Sequence, residues 1–350
     1  MIPQSANLVA VPLISEMANL KEEITSVAQG MGMDKVGFTS KERLQDAPPS
    51  GDLGYILESA QSAISLAIAL DKTAIRSFLS KKDQMAHMND MRRSYIKLKE
   101  AELAIQQLLV DRGFEAAAHY PNFDYRKGQQ PLERVPFLSH RYVAVASGIG
   151  WLGWSGNLIT PEYGAPVSLS SIVTSAELEP DPLAEGDICV DCRLCVAGCP
   201  SHFIAKSRET TVTIAGRAQT HNKKAHILRC SVTCGAANGV TNPDAKWSTW
   251  SYKALDFPAP SGNDEAFVQK VFEYGKDPSN RLLKATLERE SFILRDWEHF
   301  EQVSNNVLFT CGNCMLICWP DMADRQENYR LLTTSGRVIK DDTGIRVLRS

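Results

Sequence analysis

The sequence predicts a mixed α/β domain over residues 1–180, a cysteine-rich domain over 181–325, and a short C-terminal hairpin over 326–350. Three observations predict it. Long apolar stripes at helical spacing alternate with short strand-like runs in the first half. Seven of the nine cysteines fall in two tight runs, 189–199 and 311–318. The acidic stretch 177–187, with Pro180 and Pro182, reads as a linker between the two.

Each element has its own reason. Ile14, Met17, Leu20, Ile24, Val27 and Met31 recur at steps of three or four and predict an amphipathic helix over 14–31. Met88, Met91, Tyr95, Leu98, Ala101, Ile105 and Leu108 predict a longer one over 88–112, stopped by Gly113. Between them Ile64, Leu66, Ile68 and Leu70 alternate with small residues, the pattern of a buried strand over 62–70. Residues 115–120, 142–147 and 167–174 read as three further strands. A long insert, about 205–305, interrupts the cysteine-rich domain, and its stretch 240–262 is rich in Trp, Pro, Ser and Gly. Residues 336–348 alternate around Asp341-Asp342-Thr343-Gly344, a hairpin signal.

The cysteine runs carry the chemistry. Cys189, Cys192, Cys195 and Cys199, with Pro200 after them, spell the bacterial ferredoxin pattern for a four-iron cluster. Close spacing lets three thiolates reach one cubane from one loop, while the cysteine before proline ligates the neighbouring cluster. Cys311, Cys314 and Cys318 repeat half of that pattern. Two 4Fe–4S clusters with exchanged ligands follow. Cys189, Cys192, Cys195 and Cys318 hold one; Cys311, Cys314 and Cys199 hold the other with one more thiolate. Cys230 and Cys234 are the only cysteines left to supply it. Disulfides do not suit a chain without a secretory signal. Structural zinc pairs two C-x2-C knuckles and needs no third cysteine three residues on.

Composition bounds the rest. Lys and Arg number 38 against 41 Asp and Glu, a net charge of −3, so no basic excess marks a nucleic-acid binder and a nucleic acid is not expected as a partner. Lys81-Lys82, Arg92-Arg93 and Lys223-Lys224 read as solvated faces. No stretch reaches membrane-spanning length, no membrane association is expected, and oxygen-sensitive clusters suit a cytoplasmic, anaerobic setting.

A glycine-rich segment, Ser147–Gly164, precedes the cysteines. Gly148, Gly150 and Gly153 fit the dinucleotide expression G-x-G-x-x-G, with Glu177 as the ribose acid. Trp151 and Trp154 are poor neighbours for a pyrophosphate turn, and prolines follow where a helix should run. The narrower expectation is that the glycines let something large and flat approach the backbone, beside the apolar faces of the two tryptophans.

The order of these motifs resembles the epoxyqueuosine reductase and reductive dehalogenase superfamily. The resemblance rests on Gly148-Ile149-Gly150-Trp151-Leu152-Gly153, on Ile159-Thr160-Pro161-Glu162-Tyr163-Gly164 and on the seven motif cysteines, with Ala60-Gln61-Ser62 entering an early strand. It covers most of residues 15–320. It implies a nitroreductase-like α/β domain binding cobalamin base-off, followed by a bacterial-ferredoxin-like domain with two 4Fe–4S clusters. Cofactor contacts would come from Gly148, Gly150, Trp151, Gly153, Ser155, Asn157, Thr160 and Tyr163. It favours Cys230, in its Arg229-Cys230 context, as the eighth ligand, and leaves Cys234 spare. Independently, no histidine sits in a D-x-H-x-x-G frame, so no protein histidine is expected beneath cobalt.

The sequence also departs from that pattern. Epoxyqueuosine reductases carry an aspartate about fourteen residues before the glycine segment, where this chain reads Pro131-Leu132-Glu133-Arg134-Val135-Pro136. The C-terminal helical repeat that many of them use for tRNA is not matched. Tyr125, His140 and Arg141, placed on a loop before the cofactor strand, are the candidate catalytic residues: Tyr125 or His140 as proton donor, Arg141 for a substrate carboxylate. The bland alternatives are a hydrogen bond within the loop for His140 and a surface ion pair for Arg141. The leading expectation is a reductive elimination, dehalogenation or deoxygenation, on a small-molecule substrate, with ferredoxin or flavodoxin as electron donor. The alternatives are an electron-transfer protein that reactivates a partner's corrinoid, and epoxyqueuosine reduction on tRNA.

Overall fold

The computed structural model describes residues 10–119, 126, 135–186, 189–234, 237–240, 244–252, 255–260, 264–279 and 310–349. Helix α1 (Ala10–Gly30) is followed by strands β1 (Lys35–Ser40) and β2 (Ser62–Ala69), then helices α2 (Lys72–Leu79) and α3 (Gln84–Asp111). Strand β3 (Ala116–His119), helix α4 (His140–Ala146), the short pair β4 (Trp151–Leu152) and β5 (Leu158–Ile159), and strand β6 (Val167–Thr174) complete the first half. The second half carries α5 (Leu194–Ala197), hairpin β7 (Glu209–Ile214) and β8 (Arg217–Asn222), α6 (Ile227–Cys234) and α7 (Glu265–Gly275). It ends with α8 (Asn313–Leu316), α9 (Met322–Thr333) and hairpin β9 (Arg337–Asp341) and β10 (Gly344–Leu348).

Four strands form one antiparallel sheet in the order β1-β2-β6-β3. Pairing Ile64 with Ile172, Leu66 with Ser170 and Ile68 with Ser168 turns one face towards α1 and α3. There Leu20, Ile24, Phe38, Ile64, Leu98, Ile105 and Ile172 form a dry core. Helix α3 starts where the Asp83 carboxylate accepts from the Met85 and Ala86 amides, and it stops before Gly113, whose φ of 85° no β-carbon favours. The other face packs Ala63, Ala67 and Val173 against Val143, Ala144 and Ala146 of α4.

Residues 140–146 are helical, not the strand expected over 142–147. Almost the whole run is buried, so its alternation of valine and alanine marks no face, and period alone does not separate strand from helix there. Residues 326–350 are likewise more than a hairpin, because α9 runs into them. The expected domain borders are crossed by packing. Leu70, Ile75, Phe78 and Leu79 share a core with Leu316, Ile317 and Leu332. Ile214, in the stretch expected as an insert, packs into the α4 core.

Candidate iron–sulfur centre

Cys189, Cys192, Cys195 and Cys318 line one small cavity, with Trp154, Ser155, Ile159, Arg193, Ile317 and Arg325. Local structure aims the thiols. Asp191 and Arg193 adopt left-handed backbone (φ 54° and 58°), so the chain curls between the first three cysteines, and α5 then carries Cys195. Cys318 follows α8, and its carbonyl accepts from the Ala165 amide at 2.8 Å. The tail of the glycine segment and the fourth thiol are thereby fixed to each other. A Cβ at Gly164, φ 71°, would lie 2.3 Å from that carbonyl oxygen, so only glycine permits the contact.

Donors converge on these sulfurs. The Trp154 amide N–H donates to Cys189 Sγ at 3.2 Å. Arg325 is 2% exposed, donates from Nη1 towards Cys192 Sγ at 3.9 Å, and is locked by Nε donating to the Trp319 carbonyl. Burial pushes the Cys195 and Cys318 thiols up to about 12, and their like-charged neighbours add to it at Cys195; Arg325 opposes it at Cys318. Bare thiolates are therefore unfavourable here, and a group that supplies positive charge to all four is what the donor set fits.

The second set is Cys199, Cys230, Cys311 and Cys314, which sense one another electrostatically. Helix α6 presents Cys230 and Cys234 four residues apart on one face. Cys234 Sγ donates to the backbone carbonyl of Cys311 at 3.8 Å. The helix is clamped from the insert: Asp264, at the head of α7, pairs with Arg229 at 3.1 Å and accepts from the His226 amide at 2.6 Å. Asn157 Nδ2 donates to Cys314 Sγ at 3.6 Å. Among the described residues, no three His, Cys, Asp or Glu side chains gather as they would round a single ion.

The other expected site residues divide. Tyr125 lies outside the described residues. His140 begins α4 instead of sitting on a loop; it is 4% exposed, and its Nδ1 lies 3.0 Å from Ser171 Oγ. His119, which sequence reading passed over, sits beside it with ring centroids 5.4 Å apart, and burial lowers it to about 4. Arg141 reaches the Gly156 carbonyl, holding the glycine segment.

The glycines are packed against their own chain. A Cβ at Gly148 would lie 2.0 Å from the Pro182 carbonyl oxygen, and one at Gly150 would lie 2.1 Å from that of Ile159. At Gly153 the space is filled by the Ile159 side chain. On the side where a β-carbon would stand, these glycines accommodate the chain itself. Trp151 is buried in the β4–β5 pair. Trp154 is covered by the Arg193 guanidinium, 3.1 Å from its ring centroid, and its indole N–H donates to the Ala205 carbonyl. Thr160 is buried, accepts from the Tyr163 amide and donates to the Gly164 carbonyl. Ser155 faces the first cavity.

Sequence reading also missed the basic residues. Lys81 and Lys224 do not stand on solvated faces. Lys81 is 4% exposed, and burial lowers both ammonium groups to about 7, against the opposing pull of Cys311 on Lys81 and of Cys314 and Cys230 on Lys224. Sequence pattern marks charged pairs as exposed, and only the tertiary contacts show otherwise.

No protein-family model matches the sequence. The curated relatives it matches include an epoxyqueuosine reductase from Listeria monocytogenes, 30% identical over 214 residues, covering 53% of each chain. One from Bacillus subtilis is 26% identical over 220 residues, covering 52% of this chain and 50% of the relative. The chain thus spans about half the length of the curated relatives it matches. Among solved structures, an epoxyqueuosine reductase holding an epoxyqueuosine-modified tRNA-Tyr stem loop aligns with TM-score 0.44 at 18% identity, over 91% of this chain and 82% of that one. A reductive dehalogenase aligns with TM-score 0.47 at 17% identity, over 83% and 37%. In sequence the chain is similar to epoxyqueuosine reductases. The expectation that excluded nucleic acid is overturned by the name the curated relatives carry, which is also that of a protein solved with an epoxyqueuosine-modified tRNA stem loop. Net charge averages over a whole surface and says nothing of one face of it. Among the described residues, no helix is long and apolar enough to cross a membrane.

Proposed function

We propose that this chain is an oxidoreductase of the epoxyqueuosine-reductase type, which uses electrons from a ferredoxin or flavodoxin to remove oxygen from a modified nucleoside in tRNA. The observation that carries the reading is the ring of Cys189, Cys192, Cys195 and Cys318 round one cavity, with a second set of thiols beside it. The names of the sequence relatives supply the substrate class.

When bound, two 4Fe–4S clusters would supply one-electron transfer and a corrinoid would supply a two-electron reducing metal. The chain's own residues do the rest. The Trp154 amide and Arg325 offset negative charge on the first set of sulfurs. Asp264 fixes α6 and so the direction of Cys230. Arg141 and Asn157 tie the glycine segment between the two sets. That segment closes on the chain's own backbone at Gly148 and Gly150.

A second reading keeps a small organic substrate. It is favoured by Pro131-Leu132-Glu133-Arg134-Val135-Pro136, which lacks the aspartate expected in epoxyqueuosine reductases. One experiment separates them. The full chain is reconstituted anaerobically with iron, sulfide and cobalamin, metals are counted, and the Co(II) EPR spectrum is recorded. Reduced protein is then offered an epoxyqueuosine-bearing tRNA stem loop. About eight irons and one base-off cobalt per chain, with loss of the epoxide, support the proposal. Full loading with an untouched stem loop moves the reading to the small-molecule substrate. Eight irons without cobalt leave an electron-transfer protein.

A further inference from the structure

Hairpin β7–β8 lies in a basic stretch that the thiol sites do not use. Residues 201–230 carry six Lys and Arg and one acid, Glu209, in a chain whose net charge is −3. A two-stranded hairpin is marginal by itself, so its anchors decide where that charge stands. Ile214 is buried in the α4 core, and the Ala215 amide donates to the Arg43 carbonyl at 2.9 Å. Gln219 Oε1 accepts from the Leu152 amide at 3.1 Å, and the Asn222 amide donates to the Trp154 carbonyl at 2.9 Å. The hairpin is thus laid along the glycine segment, and Trp154 is the residue whose own amide reaches Cys189. At the open end the two arms are tied together. Asn222 Nδ2 donates to the Ala205 and Arg208 carbonyls, both at 2.7 Å, and the Lys223 amide donates to the Arg208 carbonyl at 3.0 Å. Those bonds set Lys206 and Arg208 beside Lys223. Lys206 and Lys223 are exposed, and no ion pair among the described residues engages either. Lys224 turns the other way, against Gly156. Arg217, at the tip, donates to the Ala184 carbonyl in the acidic linker, so the basic face belongs to the open end.

Resting on the reading of an RNA substrate, we infer that this open end, with Lys206 and Lys223 outermost, holds the phosphate backbone of the stem loop. Phosphates are met by Lys and Arg together with hydroxyl groups. The outward face of the hairpin supplies the hydroxyls. Thr211 and Thr213 on β7 and Thr220 on β8 are exposed, and the Thr211 and Thr220 oxygens lie 2.9 Å apart. A protein partner needs an apolar centre to its interface. The exposed large apolar side chains of the described residues include Val190 and Tyr252, with none between them in sequence. The face therefore suits RNA better than an acidic electron-donor protein. Backbone contacts fix position and carry no sequence information. This face orients the stem loop along the glycine segment and leaves base recognition to other residues.

The test measures binding of a dye-labelled, epoxyqueuosine-bearing stem loop to the reconstituted, unreduced full chain by fluorescence anisotropy over a range of salt. The double variant Lys206→Glu, Lys223→Glu should bind about tenfold more weakly or worse, and its log–log salt slope should flatten by about one for each lysine lost. Both side chains are exposed, so iron content and thermal melting should match wild type. Lys82→Glu, an exposed lysine in the turn after α2, makes the same kind of charge change and should bind as wild type does. Unchanged affinity and slope in the double variant would overturn the inference, and so would an equal loss in Lys82→Glu, which would make net charge the cause. It also falls if the double variant binds normally but is no longer reduced by ferredoxin or flavodoxin while a chemical reductant still serves, since the face would then belong to the electron donor. A wild type that binds no stem loop overturns it outright. A wild type that binds through these lysines yet leaves the epoxide intact upholds the surface and strikes the underlying reading instead.

Discussion

At the scale of single residues, the glycine segment shows a motif packed tightly against its own chain. Gly148, Gly150 and Gly153 invite a cofactor on paper, and in the fold they meet Pro182 and Ile159. Replacing Gly150 by alanine forces a Cβ to 2.1 Å from a carbonyl oxygen held in the β4–β5 pair. Backbone does not yield as a side chain does, so the cost should reach or exceed the upper part of the usual ~1–3 kcal/mol for overpacking. Gly30→Ala is the control: nothing lies within 4 Å of its Cβ, and the change should be neutral or stabilising by up to ~1 kcal/mol. Chemical denaturation of the two variants measures both, and equal midpoints would contradict the packing account. The cysteines were legible from the sequence because a cubane draws its thiolates from one short loop. Lys81 and Lys224 were not, since desolvation depends on what the chain folds over. The Trp154 amide has no letter of its own.

At the scale of elements, strands were legible where alternation met a two-sided sheet, as in Ile64, Leu66 and Ile68. Helix α4 was not, because it is buried nearly all round. The contact between α2 and α9 is polar as well as apolar. Asp324 bridges Lys72 at 2.6 Å and Arg76 at 2.7 Å. The hydrogen bond from Lys72, and then the charges of Lys72 and Arg76, hold this carboxyl below its ordinary 3.8. Its folded form therefore gains stability above that value and loses it as pH falls through the lower one. The bridge is partly exposed, so its contribution stays under about 1 kcal/mol. Asp324→Asn should be slightly less stable than wild type near about pH 6. The gap should narrow steadily below about pH 4, measured by urea melts across the range. A gap independent of pH would show that the bridge is not its source.

At the scale of the whole molecule, the sequence suggests beads on a string and the structure joins them. The core of Leu70, Ile75, Phe78 and Leu79 is completed by Leu316, Ile317 and Leu332 from the far end of the chain. A fragment of residues 1–180 leaves that core open and should be aggregation-prone or partly unfolded, even though its sheet is intact. Ile75→Ala in the full chain should cost about 2–5 kcal/mol and lower iron retention as well, since the same residues back the loop of Cys314 and Cys318. A soluble, cooperatively melting fragment, or an Ile75→Ala protein with full iron, would refute the shared core.

The wide spacing of the four thiols round the first cavity also sets a clock on biosynthesis. Cys189, Cys192 and Cys195 leave the ribosome together, while Cys318, which completes their ring, comes roughly 120 residues later, on the order of 6–25 s at 5–20 residues per second. Through that interval the nascent chain carries an incomplete set of thiols at a surface loop. Oxidation converts such thiols to disulfides or sulfenic acid, so the hazard from oxygen falls on the unfinished protein before it falls on the finished one.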